Sequence, residues 1–142
     1  MRYLGLDLGT KSLGVSITDK TNTLVSPLTV IKFSFEDYSK ALEEIKKVIL
    51  ENDISKVILG LPKNMDGSVG FAGKRSLKFK EMLENSNIEV ILEDERLTTK
   101  VAEGIIHNNN ENIKNTKNKI DSIAACIILE SYLKRCINDY KE

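Results

Sequence analysis

The chain has 142 residues, of which 41% are hydrophobic and 30% charged, with 21 basic and 21 acidic side chains balancing to zero net charge. That length suits one domain, residues 1–142, with room for a real core and too little chain for a two-domain kinase. The balanced charge gives no whole-protein field for polyanions, so nucleic-acid binding would need a local patch. No apolar run reaches the ~18 residues of a membrane span, and the N-terminus enters a strand directly in place of a signal peptide, so a cytoplasmic protein is expected. Cys126 and Cys136 fall in one predicted helix, roughly 15 Å apart along its axis. That is too far to bridge, and two reduced thiols are expected.

Residues 2–19, RYLGLDLGTKSLGVSITD, read as a strand, a tight turn and a second strand. Asp7 lies within the first strand, between Leu6 and Leu8. A carboxylate in so apolar a strand costs free energy unless it is paired, by a metal ion or by a phosphate held through one. The structural alternative is a cap on the turn at Gly9. Alone, the hairpin fits two enzyme classes: it resembles the first hairpin of ribonuclease H-type nucleases and the phosphate loop of actin-like ATPases and sugar kinases.

A third strand is expected over residues 23–32, with Pro27 marking an edge position or a bulge. Ser34 and Asp37 resemble a capping box opening a helix over 35–52, whose buried stripe is Tyr38, Ala41, Leu42, Ile45, Val48 and Ile49. The apolar run 56–61 follows that helix and reads as a parallel central strand buried on both faces. The loop PKNMDGSVG turns at Asp66-Gly67 and leads to a helix over 71–84 crowded by Lys74, Arg75, Lys78 and Lys80. Those cations are either a solvated face or a phosphate-contacting patch.

Residues 88–92 form a further buried strand ending in Glu93, Asp94 and Glu95, where open α/β sheets bind ligands. A helix capped at Thr98 or Thr99 is expected to run to Asn108, followed by a polar loop over 107–119 in which His107 reads as a frayed helix end before a catalytic base. The last helix is expected over 119–139, burying Ile120, Ile123, Ala124, Ile127, Ile128 and Leu133. Asp121 near its start shares a face with Ala124 and Ala125, whose small side chains allow close approach to the sheet. Dipole pairing, with Asn118 as a cap, is the structural alternative for Asp121.

Asp7, Glu95 and Asp121 come from distant elements that this topology can gather at one sheet edge. Clustered carboxylates resist ionising together unless cations are present. Hard oxygen ligands suit Mg²⁺ or Mn²⁺, and such ions support phosphodiester hydrolysis.

Four blocks in order, LGLDLGTKSLGVSITD, GLPKNMDGSVG, DERLTT and KIDSIAACIIL, resemble the signature of the YqgF (RuvX) family, pre-16S rRNA nucleases related to Holliday-junction resolvases. The resemblance covers essentially the whole chain. It implies an α/β, ribonuclease H-like fold: a mixed five-stranded sheet, its first three strands antiparallel, flanked by helices. It also implies endonucleolytic maturation of the 5′ end of the 16S rRNA precursor, and hence a part in ribosome biogenesis. Carried over by position, Asp7, Glu95 and Asp121 are the catalytic, metal-binding acids. Lys11, Arg96 and the 60–68 loop with Asp66 and Gly67 position substrate. Asp94 stands as an alternative ligand or a neighbour of the metal set, since strand alternation alone does not choose between it and Glu95. Ser12 departs from the pattern, because family members often carry arginine there, and this weakens the phosphate contact expected of the turn.

The implied partners are nucleic acid, either pre-16S rRNA or branched DNA, and the ribosome or its assembly factors, with the protein a monomer or weak dimer and no membrane involved. The competing readings are a resolvase of four-way DNA junctions, and a ribosome-assembly binding module that keeps the fold without cutting. The actin-like ATPase shares the first hairpin but needs a second domain.

Overall fold

Alternating apolar residues in the first 32 positions build an antiparallel meander of β1 (Arg2–Leu8), β2 (Ser12–Thr18) and β3 (Val25–Lys32). The computed structural model describes residues 1–64, 66–94 and 113–141, with residues 113–121 and 137–141 described by backbone alone. The apolar runs that follow supply β4 (Ile54–Leu61), parallel to β1, and β5 (Val90–Asp94), parallel to β4. Among the described residues the sheet order is β3-β2-β1-β4-β5, the mixed five-stranded arrangement expected. The helices among the described residues are α1 (Tyr38–Glu51), α2 (Phe71–Asn85) and α3 (Ile113–Lys141).

Pro27 proves to be both at an edge and at a bulge. β3 closes one side of the sheet, and Val15 pairs with Thr29 while Ser16 pairs with Pro27, which leaves Leu28 as the extra residue. The preceding turn is organised by Asp19, whose carboxylate accepts from the Thr23 and Leu24 amides at 2.9 and 3.2 Å. The Thr23 amide bond holds the Asp19 carboxyl below the usual range, opposed by desolvation and helped by the Leu24 amide.

Two cores lie on the two faces of the sheet. On one, Leu4, Leu6, Val15, Val57 and Leu59 pack with Ala41 and Ile45 of α1 and Phe79 and Leu83 of α2. On the other, Ile58 packs with Ile128, Leu129 and Tyr132 of α3, joined by Tyr3, Ile91 and Leu133. A strand turns alternate residues to opposite faces, so Gly5, Asp7, Ser16, Gly60 and Glu93 belong to the α3 side.

Three sequence expectations need correction. The cap of α1 is Asp37, which accepts from the Lys40 amide at 3.3 Å, and not Ser34. Glu36 is held at φ 58° by its amide bond to the Thr10 carbonyl, and this left-handed residue delays the helix until it has passed. The last helix begins at Ile113, so residues 113–119, read as loop, are helical. Ile113 stands seven residues before Ile120 and so continues its stripe, and Lys114, Lys117 and Lys119 are good helix formers. Finally, α3 buries Ala124, Ala125, Ile128, Leu129 and Tyr132, while Ile123, Ile127 and Leu133 are half-buried and Ile120 is described by backbone only. The helix is rotated toward its smallest side chains, which meet the sheet where it has small residues too. The expected helix to Asn108 and His107 lie outside the described residues. Cys126 and Cys136 are unbridged, and burial, then the Glu130 carboxylate, pushes the Cys126 thiol up to about 11.

Candidate active site

The hairpin carrying Asp7 is fastened rather than free to swing. The Gly9 amide donates to the Ser12 carbonyl at 2.8 Å, closing the turn. The Thr10 carbonyl accepts from the Glu36 amide at 2.8 Å and the Lys11 carbonyl from the Phe33 amide at 3.0 Å. The backbone of the turn is thus tied to the start of α1, and the Lys11 side chain remains exposed at the sheet edge.

Asp7 is half-buried and sits opposite Gly14 of β2. On its other side Leu6 pairs with Leu59, so the next residues of these parallel strands, Asp7 and Gly60, stand side by side. Gly60 in turn pairs with Glu93. The row Gly14, Asp7, Gly60, Glu93 therefore sets two carboxylate residues about two strand spacings apart, roughly 9.5 Å, with only a glycine between. Glu93 is 7% exposed, and its carboxylate accepts from the Arg135 guanidinium of α3 at 3.2 Å. Sequence reading grouped Glu93 with the acids at the strand end and gave it no role. Its alternation with Ile91 was the available signal that it shares the face of Asp7. Asp94, paired with Leu61, alternates to the opposite face and is exposed.

α3 crosses β1 in the antiparallel sense, with Tyr132 against Tyr3 (ring centroids 6.2 Å apart) and Ala125 and Leu129 over Gly5. The approach is as close as backbones allow: a Cβ on Gly5 would run into Ser16 Oγ, would lie 2.6 Å from the Ala125 carbonyl and 2.8 Å from Leu129 Cβ. Ser16 Oγ donates to that same Ala125 carbonyl at 2.7 Å. From this contact Asp121 lies one helical turn back, about 6 Å, on the same side of α3. Asp7 lies two strand residues on, about 6.6 Å, in the same direction. The backbone positions of Asp7 and Asp121 therefore converge at the end of β1. β5 is described to Asp94, and Glu95 and Arg96 follow it outside the described residues.

Among the described residues no three His, Cys, Asp or Glu side chains form a metal cluster. Of the three acids Asp7, Glu95 and Asp121, only the Asp7 side chain is among those described. The donor chemistry of Asp7, Glu95 and Asp121, three carboxylates, is that of a hard divalent cation such as Mg²⁺ or Mn²⁺.

In the loop after β4, Asp66 and Gly67 shape the chain. Gly67 adopts φ 91°, which only glycine takes readily, and its amide donates to the Asn64 carbonyl at 2.8 Å. The Asp66 carboxylate accepts from Ser68 Oγ at 2.6 Å and from the Ser68 amide at 2.9 Å. Those bonds, the hydroxyl first, keep its carboxyl below the usual range. Gly73, at the start of α2, packs so tightly on the loop that a Cβ would come 2.7 Å from the Pro62 carbonyl.

Comparison with known proteins accords with this geometry. The family model described as "RuvX: Holliday junction resolvase" matches residues 1–135. A relative from Caldanaerobacter subterraneus is 45% identical over 136 residues, covering 94% of this chain and 96% of its own. One from Shouchella clausii is 40% identical over 136 residues, covering 95% and 96%. Both bear the name "Putative pre-16S rRNA nuclease". Among solved structures, Thermus thermophilus RuvC superposes with a TM-score of 0.57 at 12% identity over 96% of each chain, and that protein has also been solved in complex with Holliday junction substrate. The shared fold is the ribonuclease H-like one expected. With a family match over nearly its whole length and relatives of such identity, the chain belongs to the RuvX family.

Proposed function

We propose that this chain is a divalent-metal-dependent endonuclease that cuts phosphodiester bonds in the 5′ region of the 16S rRNA precursor, in the cytoplasm and as a monomer or weak dimer. The observation that carries it is the convergence of three acid-bearing elements at one sheet edge: Asp7 near the end of β1, the end of β5 at Asp94 next to Glu95, and the turn of α3 holding Asp121. The names of the relatives point to RNA.

In this reading Asp7, Glu95 and Asp121 hold Mg²⁺ or Mn²⁺. When bound, the cation lets three adjacent carboxylates ionise together and supplies the Lewis acidity that phosphodiester hydrolysis needs. Lys11 and Arg96 offset the charge that develops on the phosphate as water adds to phosphorus and the P–O bond breaks. Asp66 and Gly67 act indirectly, by fixing the loop that borders the site. Ribosome-assembly factors are natural partners for such an activity.

A second reading, cleavage of four-way DNA junctions, is favoured by the family description and by the RuvC fold. One experiment separates the two: the purified protein is offered a 5′-extended 16S rRNA fragment and a four-way DNA junction in Mg²⁺ and in Mn²⁺, with Asp121→Asn as control. Metal-dependent cutting of the RNA alone, lost in the variant, is the expected result. Cutting of the junction alone transfers the function to recombination. Cutting of neither overturns the nuclease reading for the isolated chain and favours the binding module.

A further inference from the structure

Phe35 and Phe71 are large apolar side chains left in solvent, 62% and 87% exposed, and neither serves the core. Both stand at the catalytic end of the sheet. α1 leads into β4 and α2 follows it, each running against the strands, so both helices begin at the edge where β1, β4 and β5 end. Phe35 is the second residue of a turn closed by the Asp37 amide on the Ser34 carbonyl at 2.8 Å. That turn is fastened to the Asp7 hairpin by the bonds from Glu36 to Thr10 and from Phe33 to Lys11. The backbone of Phe35 is therefore held next to the turn that carries Lys11. Tyr38, three residues on, packs on Phe79 of α2 with ring centroids 6.5 Å apart, which ties α2 to the first turn of α1.

Charge accompanies the rings. Residues 63–80 carry five cations and one acid in a chain of zero net charge, and that one acid, Asp66, is engaged by Ser68. Lys74 and Lys78 are exposed, and the Lys74 ammonium stands 6.0 Å over the Phe71 ring. Exposed phenyl faces alternating with cations fit one ligand class: unpaired nucleotides, whose bases stack on rings and whose phosphates take the charges. A duplex hides its base faces and would use the cations only.

We propose that Phe35 and Phe71, with Lys11, Lys74, Arg75 and Lys78, form a stacking platform that holds a single-stranded segment of the substrate beside the cleavage site. The proposal deepens the nuclease reading and rests on it. It makes the substrate strand next to the scissile bond unpaired, and it makes the α2 cations a phosphate track rather than a solvated face.

The test is binding without cleavage: fluorescence anisotropy in EDTA, with a labelled oligouridylate and an RNA duplex. Phe71→Ala and Phe35→Ala should each weaken single-strand binding roughly tenfold or more and leave duplex binding unchanged, and Phe71→Tyr should restore it. Lys74→Gln should weaken both ligands and reduce the single-strand salt slope by about 0.7. Because both rings are exposed, an unchanged urea midpoint will show that the alanine variants fold. Unchanged single-strand affinity in both alanine variants overturns the platform while the nuclease reading stands. An equal loss on the duplex also overturns it, as does a self-association of the wild-type chain that Phe71→Ala abolishes while oligouridylate affinity is kept, since the rings would then serve a second copy. If the wild-type chain binds neither nucleic acid, the platform and the nuclease reading fall together.

Discussion

The two faces of the sheet are built to different rules. The face under α1 and α2 is aliphatic and aromatic throughout, with Leu4, Leu6, Leu13, Val15, Val57, Leu59 and Phe79 all fully buried. The face under α3 carries glycines at 5, 14 and 60, the buried hydroxyls of Ser16 and Thr18, and the carboxylates of Asp7 and Glu93. The first arrangement maximises apolar area removed from water. The second gives up area to let a helix backbone come close and to keep polar groups at the sheet edge. The contrast says that folding free energy is concentrated on one side and placement of the proposed site on the other, so substitutions on the two sides should fail differently.

The sharpest break in that contrast is Asp7→Asn, nearly isosteric and on the α3 face. If Asp7 holds the metal as proposed, its loss removes several kcal/mol of transition-state stabilisation, so cleavage should fall by roughly 10³-fold or more with the urea midpoint unchanged. Retained cleavage would sink the assignment of Asp7. The opposite failure is expected of Phe79→Ala on the α2 face, where a fully buried ring wedged against Tyr38 is lost. It should cost about 3–5 kcal/mol of stability in urea unfolding. Protein that remains folded should still cut at a near-normal rate.

How much of this was legible in the sequence follows the same divide. The strands and the stripe of α1 were readable because a period of two and a period of 3.6 are written directly in the apolar residues. The missing amide of Pro27 pointed to an edge or a bulge, and only the strand register shows that both hold. The cap at Asp37 was misplaced because the deciding event, the Glu36 bond to Thr10, spans 26 residues of chain and leaves no local trace. The buried side of α3 was misread for a related reason. Its isoleucines suggest one stripe, but the sheet beneath is lined by Gly5 and Ser16 and selects alanines. Asp7 stood out because a carboxylate between leucines is anomalous, whereas Glu93 hid among neighbouring acids until the strand register separated it from Asp94. Glu95 and Arg96 rest on family position alone.

An intermediate case tests whether close approach is what the α3 face was built for. Gly5→Ala adds one methyl that would run into Ser16 Oγ, the Ala125 carbonyl and Leu129 Cβ, and the last two are not at the end of a flexible chain. Overpacking of this kind should cost about 1–3 kcal/mol and lift α3 from the sheet. Cleavage should therefore fall along with the urea midpoint, unlike either of the first two variants. Gly9→Ala is the control: a Cβ there meets nothing closer than 3.4 Å, and both readouts should stay near wild type.

The smallest expected effect is the most discriminating. Ser16→Ala removes only the hydroxyl that donates to the Ala125 carbonyl, adding no bulk. That carbonyl lies within the helix and has a second lone pair for its intrahelical partner, so the net loss should be about 1 kcal/mol, measured as a lower urea midpoint. The bond also ties α3 over Gly5 through a side chain of β2. If it acts only as a hydrogen bond, stability drops slightly and cleavage per folded molecule is unchanged. If it sets the longitudinal position of α3, cleavage drops further than the stability loss explains, because a slip of the helix moves the turn of Asp121 relative to Asp7. The geometry favours the second outcome, since Gly5 restrains how far α3 stands from the sheet but not where it sits along β1, and an unchanged cleavage rate in Ser16→Ala would assign that restraint to Leu129 and Tyr132 instead.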